Sequence, residues 1–228
     1  MKNPVERLTE RVIHGDSKKA ALVFSEKNRR YFTQFPASDG ALFVTAEEAY
    51  LLMDFRYEEA AHYQAKYCTV VGFSSLMDKL GELIRKHGIQ EIYLETEKLS
   101  VAQARRFEAA FQKNGAQAVL DNTLDSAIRE QRMIKSPEEV KKIEASQEIT
   151  DAAFQHILPY IKEGVTERDL ALEIEFFMRK QGAEDVAFSL IVAAGKNGSQ
   201  CHAVPSDNTV QKGDFITMDT GALLDGYH

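Results

Sequence analysis

Up to about Arg132 the chain alternates short apolar runs with amphipathic stretches, and this alternation restricts the fold more than any other feature of the sequence. The runs AALVF, GALFVT, AYLLMD, CTVVGF and EIYLE have strand length and are rich in β-branched or aromatic residues. Between or after them, YEEAAHYQAKY, SLMDKLGELIRKHG and SVAQARRFEAAFQKNG place apolar residues at helical spacing. The last two close on Gly88 and Gly115, which read as helix stops. Strands alternating with helices give an α/β domain, expected over residues 1–132 with a mixed sheet. No glycine-rich phosphate loop follows any of these strands, so nucleotide binding has no support in them.

The segment REQRMIKSPEEVKKIEASQEITDAAFQHILPYIKEG changes character, and a second domain is expected over residues 133–228. Ser136 can cap a helix with Pro137 at its first position and Glu139 placed to complete a capping box. Val140, Ile143, Ala153, Phe154 and Ile157 then recur on one side of that helix. Gly164 reads as its end, Thr166 with Asp169 as the start of another, and LALEIEFFMRKQG carries the second helix to Gly182. FSLIVAAG and DFITMDTGALL read as strands, separated by the polar loop KNGSQCHAVPSDNTVQKG. Two long helices packed on strands are expected, with His202 and Asp219 held near one another.

Those two residues are the candidates for chemistry. Asp219 sits in the middle of an apolar run and is expected to face the core or a pocket, where a carboxylate must be paired, hydrogen-bonded or metal-bound. A hydrogen bond to nearby backbone or to Thr220 would satisfy it equally well, and one carboxylate does not hold a metal. His202, in CHAVPSD, is by type a solvated or hydrogen-bonded loop residue unless a pocket surrounds it. Asp39 and Arg56 read as turn-making and ion-pairing residues, and Asp207 as a turn residue.

Charge removes several partner classes. With 28 Lys and Arg against 35 Asp and Glu the net charge is −7, which opposes an electrostatic grip on nucleic acid or on an anionic membrane. No apolar run is long enough to span a bilayer, and the charged, helix-like start lacks the apolar core of a signal peptide. Cys68 and Cys201 lie far apart and make neither a disulfide framework nor a zinc site by spacing, so a cytoplasmic, reduced protein is expected.

The stretch FSLIVAAGKNGSQCHAVPSDNTVQKGDFITMDTGALLDGYH resembles the first part of the catalytic domain of the proline-specific metallopeptidases, aminopeptidase P and Xaa-Pro dipeptidase (prolidase). An aromatic-led strand, a G-x-N turn, H-x-V-P-S, G-D-x-x-x-x-D-x-G and G-Y occur in the family's order. Upstream, NRRYFTQFPASDGALFVT, LLMDFRYEEAA and RMIKSPEEVKKIEASQEITDAAF are similar to the family's N-terminal domain and linker helix. The resemblance implies an α/β (α+β) chain, a creatinase-like α/β N-terminal domain followed by a truncated pita-bread catalytic domain.

It also implies chemistry: hydrolysis of a peptide with proline after the scissile bond, by a homodimer holding two divalent metal ions, manganese, cobalt or zinc. Asp219 would be the first metal ligand. His202 would be the catalytic and substrate-binding residue that donates a hydrogen bond around the scissile amide, without binding metal. Phe188 would line the substrate site, a core phenylalanine being the alternative. The family's second aspartate follows a hairpin turn, here Asp225-Gly226, and a histidine and two glutamates come later. This sequence therefore reads as a fragment lacking four of the five ligands implied, expected to be inactive alone. Two further readings stand beside it. Creatine-hydrolysing amidinohydrolases share both domains and the histidine but work without metal, which Asp219 opposes. A non-catalytic binding or dimerisation module descended from the peptidases fits the missing ligands. Methionine aminopeptidase shares the catalytic fold, but the N-terminal domain here makes it a poor fit.

Overall fold

The computed structural model describes residues 2–228, which fall into one unit ending at Ile134 and another beginning at Lys135. In the first unit α1 (Pro4–Leu8) starts at Asn3, whose side chain forms a capping box with Glu6, and Pro4 takes the first helical position. There follow β1 (Lys19–Val23), α2 (Glu26–Thr33), β2 (Ala41–Val44), β3 (Ala49–Met53), α3 (Phe55–Gln64), β4 (Thr69–Gly72), α4 (Leu76–His87), β5 (Glu91–Leu94), α5 (Val101–Lys113), β6 (Gln117–Val119) and α6 (Thr123–Met133). The strands form one mixed sheet in the order β4-β3-β2-β1-β5-β6: β2 runs antiparallel to β1 and β3, and the other pairs are parallel.

Both faces of this sheet are covered, which is why its strands read as unbroken apolar runs rather than alternating ones. Ala20 and Leu22 of β1 point with Leu80, Leu83 and Ile84 of α4 and Phe107 and Phe111 of α5 into one core. Ala21 and Val23 point the other way, onto Leu8 of α1, Phe32 of α2 and Leu124 and Ile128 of α6. Each such Val, Leu, Ile or Phe side chain, fully buried, contributes about 1.5–3 kcal/mol. Arg29 of α2 is buried too, and its guanidinium donates to the carbonyls of Phe24 (2.8 Å), Gly40 (2.9 Å) and Ala37. Burial lowers its pKa from the ordinary value, against the pull of Glu26, Asp39 and Glu95.

The second unit opens with α7 (Pro137–Ile157), whose capping box of Ser136 and Glu139 is formed with Pro137 at the first position. After it come α8 (Glu167–Lys180), β7 (Asp185–Val186), β8 (Ile191–Ala194), β9 (Ile216–Asp219) and β10 (Ala222–Leu223). Its core joins Ala153 and Ile157 of α7, Leu170, Ile174 and Met178 of α8, and Val192 and Ala194 of β8. Several expectations are corrected. Val140 and Phe154 remain 41% and 50% exposed, because within this unit α7 buries only a narrow stripe of Ser146, Ala153 and Ile157. That helix ends well before Gly164, in a single 3₁₀ turn holding Pro159, which has no N–H to continue the helical ladder. FSLIVAAG is a strand only over Ile191–Ala194, and Phe188 lies in the bend before it. DFITMDTGALL is two strands: β9 pairs with β8, and β10 with β7. Asp225 and Gly226 do form a hairpin turn, at φ +50° and +80°, with Leu224 and Tyr227 exchanging hydrogen bonds of 2.9 Å. Among the described residues no helix is long and apolar enough to cross a membrane.

Candidate functional site

Side chains alternate across β8 and β9, so the pair has two unlike faces. Val192, Ala194, Ile216 and Met218 point to the helices. Ile191 and Ala193 point the other way, and the antiparallel register sets Asp219 opposite Ile191 and Thr217 opposite Ala193. Asp219 therefore lies on the face away from the helices, and it is exposed, not buried as its apolar neighbours suggested. The cause is period two: Ile216 and Met218 go to the core, and residues 217 and 219 do not. Among the described residues no hydrogen bond holds the Asp219 carboxylate.

His202 comes to the same side. The loop after β8 folds back so that Ala203 packs on Ile191 and Ala193, and His202, its chain neighbour, is exposed beside them with Nδ1 3.8 Å from the Cys201 Sγ. Phe188 is 42% exposed, and its ring edge covers Gly221 closely enough that a Cβ there would sit 3.2 Å from it. The loop and the end of β9 thus bring His202 and Asp219 to one face, with Phe188 over the backbone two residues beyond Asp219.

A carboxylate that the sequence reading passed over fixes this arrangement. Glu167, the first residue of α8, is 0% exposed. Its Oε1 accepts from Ala194 N (2.8 Å), Asn197 Nδ2 (3.0 Å) and Asn208 Nδ2 (2.9 Å), and its Oε2 from Ser206 N (3.1 Å) and Ser206 Oγ (2.7 Å). The loop returns bonds to the helix start: Glu167 N donates to Asn208 O (3.0 Å) and Arg168 N to Ser206 O (3.1 Å). Burial pushes the Glu167 carboxyl pKa up, but the donors from Ala194, Asn208, Ser206 and Asn197 outweigh it and hold the group at about 2. In sequence Glu167 looks like any acidic residue in a first helical turn, and its partners lie 27 to 41 residues away.

The donors present do not fit a two-metal centre. Among the described residues no three His, Cys, Asp or Glu side chains converge where they could hold an ion. The nearby Asp214 carboxylate accepts from Gln211 N at 2.9 Å, and that of Glu167 is filled by its donors. The Asp219 carboxylate is one that no hydrogen bond occupies among the described residues, and a single carboxylate does not make a metal site. In the first unit the Arg56 guanidinium bonds Asp39 (3.1 Å) and Asp54, exposed pairs that tie a turn to the start of α3.

The profile of the Creatinase/Prolidase N-terminal domain matches residues 9–134 and that of Metallopeptidase family M24 matches residues 141–228. The uncharacterized peptidase YqhT of Bacillus subtilis is 34% identical over 207 residues, 90% of this chain and 57% of the relative. The Xaa-Pro dipeptidase of Pyrococcus furiosus is 31% identical over 227 residues, 98% of this chain and 62% of the relative. Among solved structures, a Xaa-Pro dipeptidase from Bacillus anthracis superposes with a TM-score of 0.88 at 33% identity, covering 97% of this chain and 61% of that one. The chain thus spans less than two thirds of the length of these relatives. It belongs to the creatinase/prolidase family, with the N-terminal domain of that name joined to sequence of metallopeptidase family M24.

Proposed function

We propose that this chain carries the N-terminal domain and part of the catalytic domain of a proline-specific peptidase that hydrolyses Xaa-Pro bonds, as an Xaa-Pro aminopeptidase or dipeptidase. The observation that supports this most is the sharing of one face of β8 and β9 by the His202 loop and Asp219, away from the helices. In this reading His202 donates a hydrogen bond from its ring to the substrate beside the scissile amide, where negative charge grows as the tetrahedral intermediate forms. Phe188 presents an apolar surface to the substrate side chain. Asp219 would supply one oxygen ligand to a divalent ion, manganese suiting hard oxygen donors and cobalt or zinc tolerating an added imidazole. One carboxylate does not make a two-metal site, so the roles proposed are those of the protein side chains present. The same reading places the protein in the cytoplasm as a homodimer, and the free thiols Cys68 and Cys201 agree with a reducing compartment.

The test compares two variants of the full-length protein. Asp219→Asn is expected to lose bound metal and Xaa-Pro cleavage together. His202→Ala is expected to keep its metal and lose about 10²–10³-fold in kcat, the scale of a lost oxyanion-type donor. Retention of metal and rate by Asp219→Asn, or loss of metal by His202→Ala, would overturn the roles.

A further inference from the structure

We propose that Glu167 is a positioning residue for the reaction, setting where His202 stands by clamping both ends of the loop that carries it; this rests on the reading of His202 as the substrate donor. The donors that reach Glu167 come from the end of β8, the turn after it and the far end of the loop. Ala194 and Asn197 lie before His202 in the chain, Ser206 and Asn208 after it. Between these anchor points the loop meets the sheet at one apolar contact, Ala203 on Ile191 and Ala193, and one hydrogen bond, from Thr217 Oγ1 to Gly198 O (3.2 Å), while Cys201, His202 and Val204 are exposed. Ordering each loop residue costs about 1–2 kcal/mol of conformational entropy, more than these two contacts offset. The clamp supplies the balance.

The helix does not need Glu167 in order to start. Thr166 already caps α8, its hydroxyl accepting from Asp169 N at 3.0 Å. A carboxylate aimed instead at the loop, and buried there, is placed for the loop. Its charge matters as well as its shape. An ionised carboxylate only accepts hydrogen bonds, and every partner here is a donor. A glutamine would turn an NH₂ toward Ala194 N or Ser206 N, neither of which can reverse its role. Substitution at Glu167 should thus loosen the loop where it meets the sheet and displace the His202 ring, with no change to Asp219, which sits on β9.

The experiment is a double-mutant cycle in the metal-loaded full-length protein: Glu167→Gln, His202→Ala and both together, read as kcat and KM on an Xaa-Pro peptide at a temperature where all variants are folded. Glu167→Gln is expected to lower kcat by about 10-fold to 10²-fold, the penalty of an ångström-scale misplacement, with metal content unchanged. In the His202→Ala background it is expected to cost less than about 2-fold more, because the two residues act as one unit. Amide hydrogen exchange should speed up at Ser206 and Ala194. Equal kcat losses in both backgrounds, or unchanged protection at Ser206, would overturn the proposal and leave Glu167 a purely structural residue. If His202→Ala alone keeps full kcat, the donor role falls and the positioning role falls with it, and that outcome is recognisable from the single variant. Should Glu167→Gln fail to fold, Ser206→Ala removes one hydroxyl donor while keeping the backbone bond, and the same cycle with His202→Ala decides.

Discussion

Glu167→Ala isolates what the buried carboxylate contributes to stability. It removes the acceptor for five donors, of which the side chains of Asn197, Ser206 and Asn208 can rotate toward other partners or water. The backbone N–H groups of Ala194 and Ser206 cannot. A buried donor left without a partner costs about 1–3 kcal/mol, so two of them give roughly 2–6 kcal/mol, with the lower half expected because water can enter the vacated polar space. Urea unfolding at pH 7, followed by circular dichroism since the chain has no tryptophan, should place the loss near 3 kcal/mol and confine it to the transition of the second unit. The pH dependence has a definite sign. The folded pKa of about 2 lies below the ordinary 4.5, so the stabilisation is fully present above about pH 4.5 and is lost as pH falls toward 2. The gap between wild type and Glu167→Ala should therefore be constant from pH 7 to 5 and narrow below 4.5. A midpoint unchanged at pH 7, or a gap that widens on acidification, would refute the reasoning.

Two further outcomes are expected. Manganese added to the 228-residue chain should give no tight site by calorimetry, because Asp219 supplies a single carboxylate; tight stoichiometric binding would place the ligands elsewhere. A thiol-specific disulfide reagent at pH 8 should modify the exposed Cys201 quickly and Cys68 slowly, since burial pushes the Cys68 thiol up to about 11; equal rates would contradict that environment.

What the sequence made legible, and what it hid, follows from the range of the interactions involved. The five longer strands of the first unit show in the sequence because both sheet faces are covered, so apart from the opening Lys19, Thr69 and Glu91 their positions are apolar or aromatic. β6 escaped because it is three residues long and begins with the polar Gln117. α2 escaped because its buried side includes Asn28 and Arg29, polar residues held by partners elsewhere in the chain. The start of α7 was legible to the residue, since Ser136, Pro137 and Glu139 act within one turn. At the candidate site one local rule was read over another. An aspartate among apolar residues looks buried, but Ile216-Thr217-Met218-Asp219 alternates apolar and polar residues with period two, and that pattern puts Asp219 on the face away from α7 and α8. Glu167 shows the converse error, an ordinary helix-start residue whose environment is assembled from the loop up to 41 residues downstream.

The carboxylates of Glu167 and Asp219 differ in what their lone pairs are doing, and this separates their roles more sharply than burial does. Glu167 has both oxygens filled by donors in a closed site, so a cation could reach it only by breaking the loop anchor. Asp219 is exposed, and no donor among the described residues competes for its oxygens. A ligand to an exchangeable ion needs the second condition; a clamp needs the first, because an ionised carboxylate without its donors would pay the full cost of leaving water. The division also keeps the proposed parts independent. Asp219 is carried by β9, whose backbone is locked to β8 at four paired positions, whereas His202 is carried by a loop whose place depends on a charge on α8. Perturbing the clamp should therefore move the hydrogen-bond donor and leave the metal ligand where it is, and that asymmetry is the physical reason the kcat and metal-content measurements can be read separately.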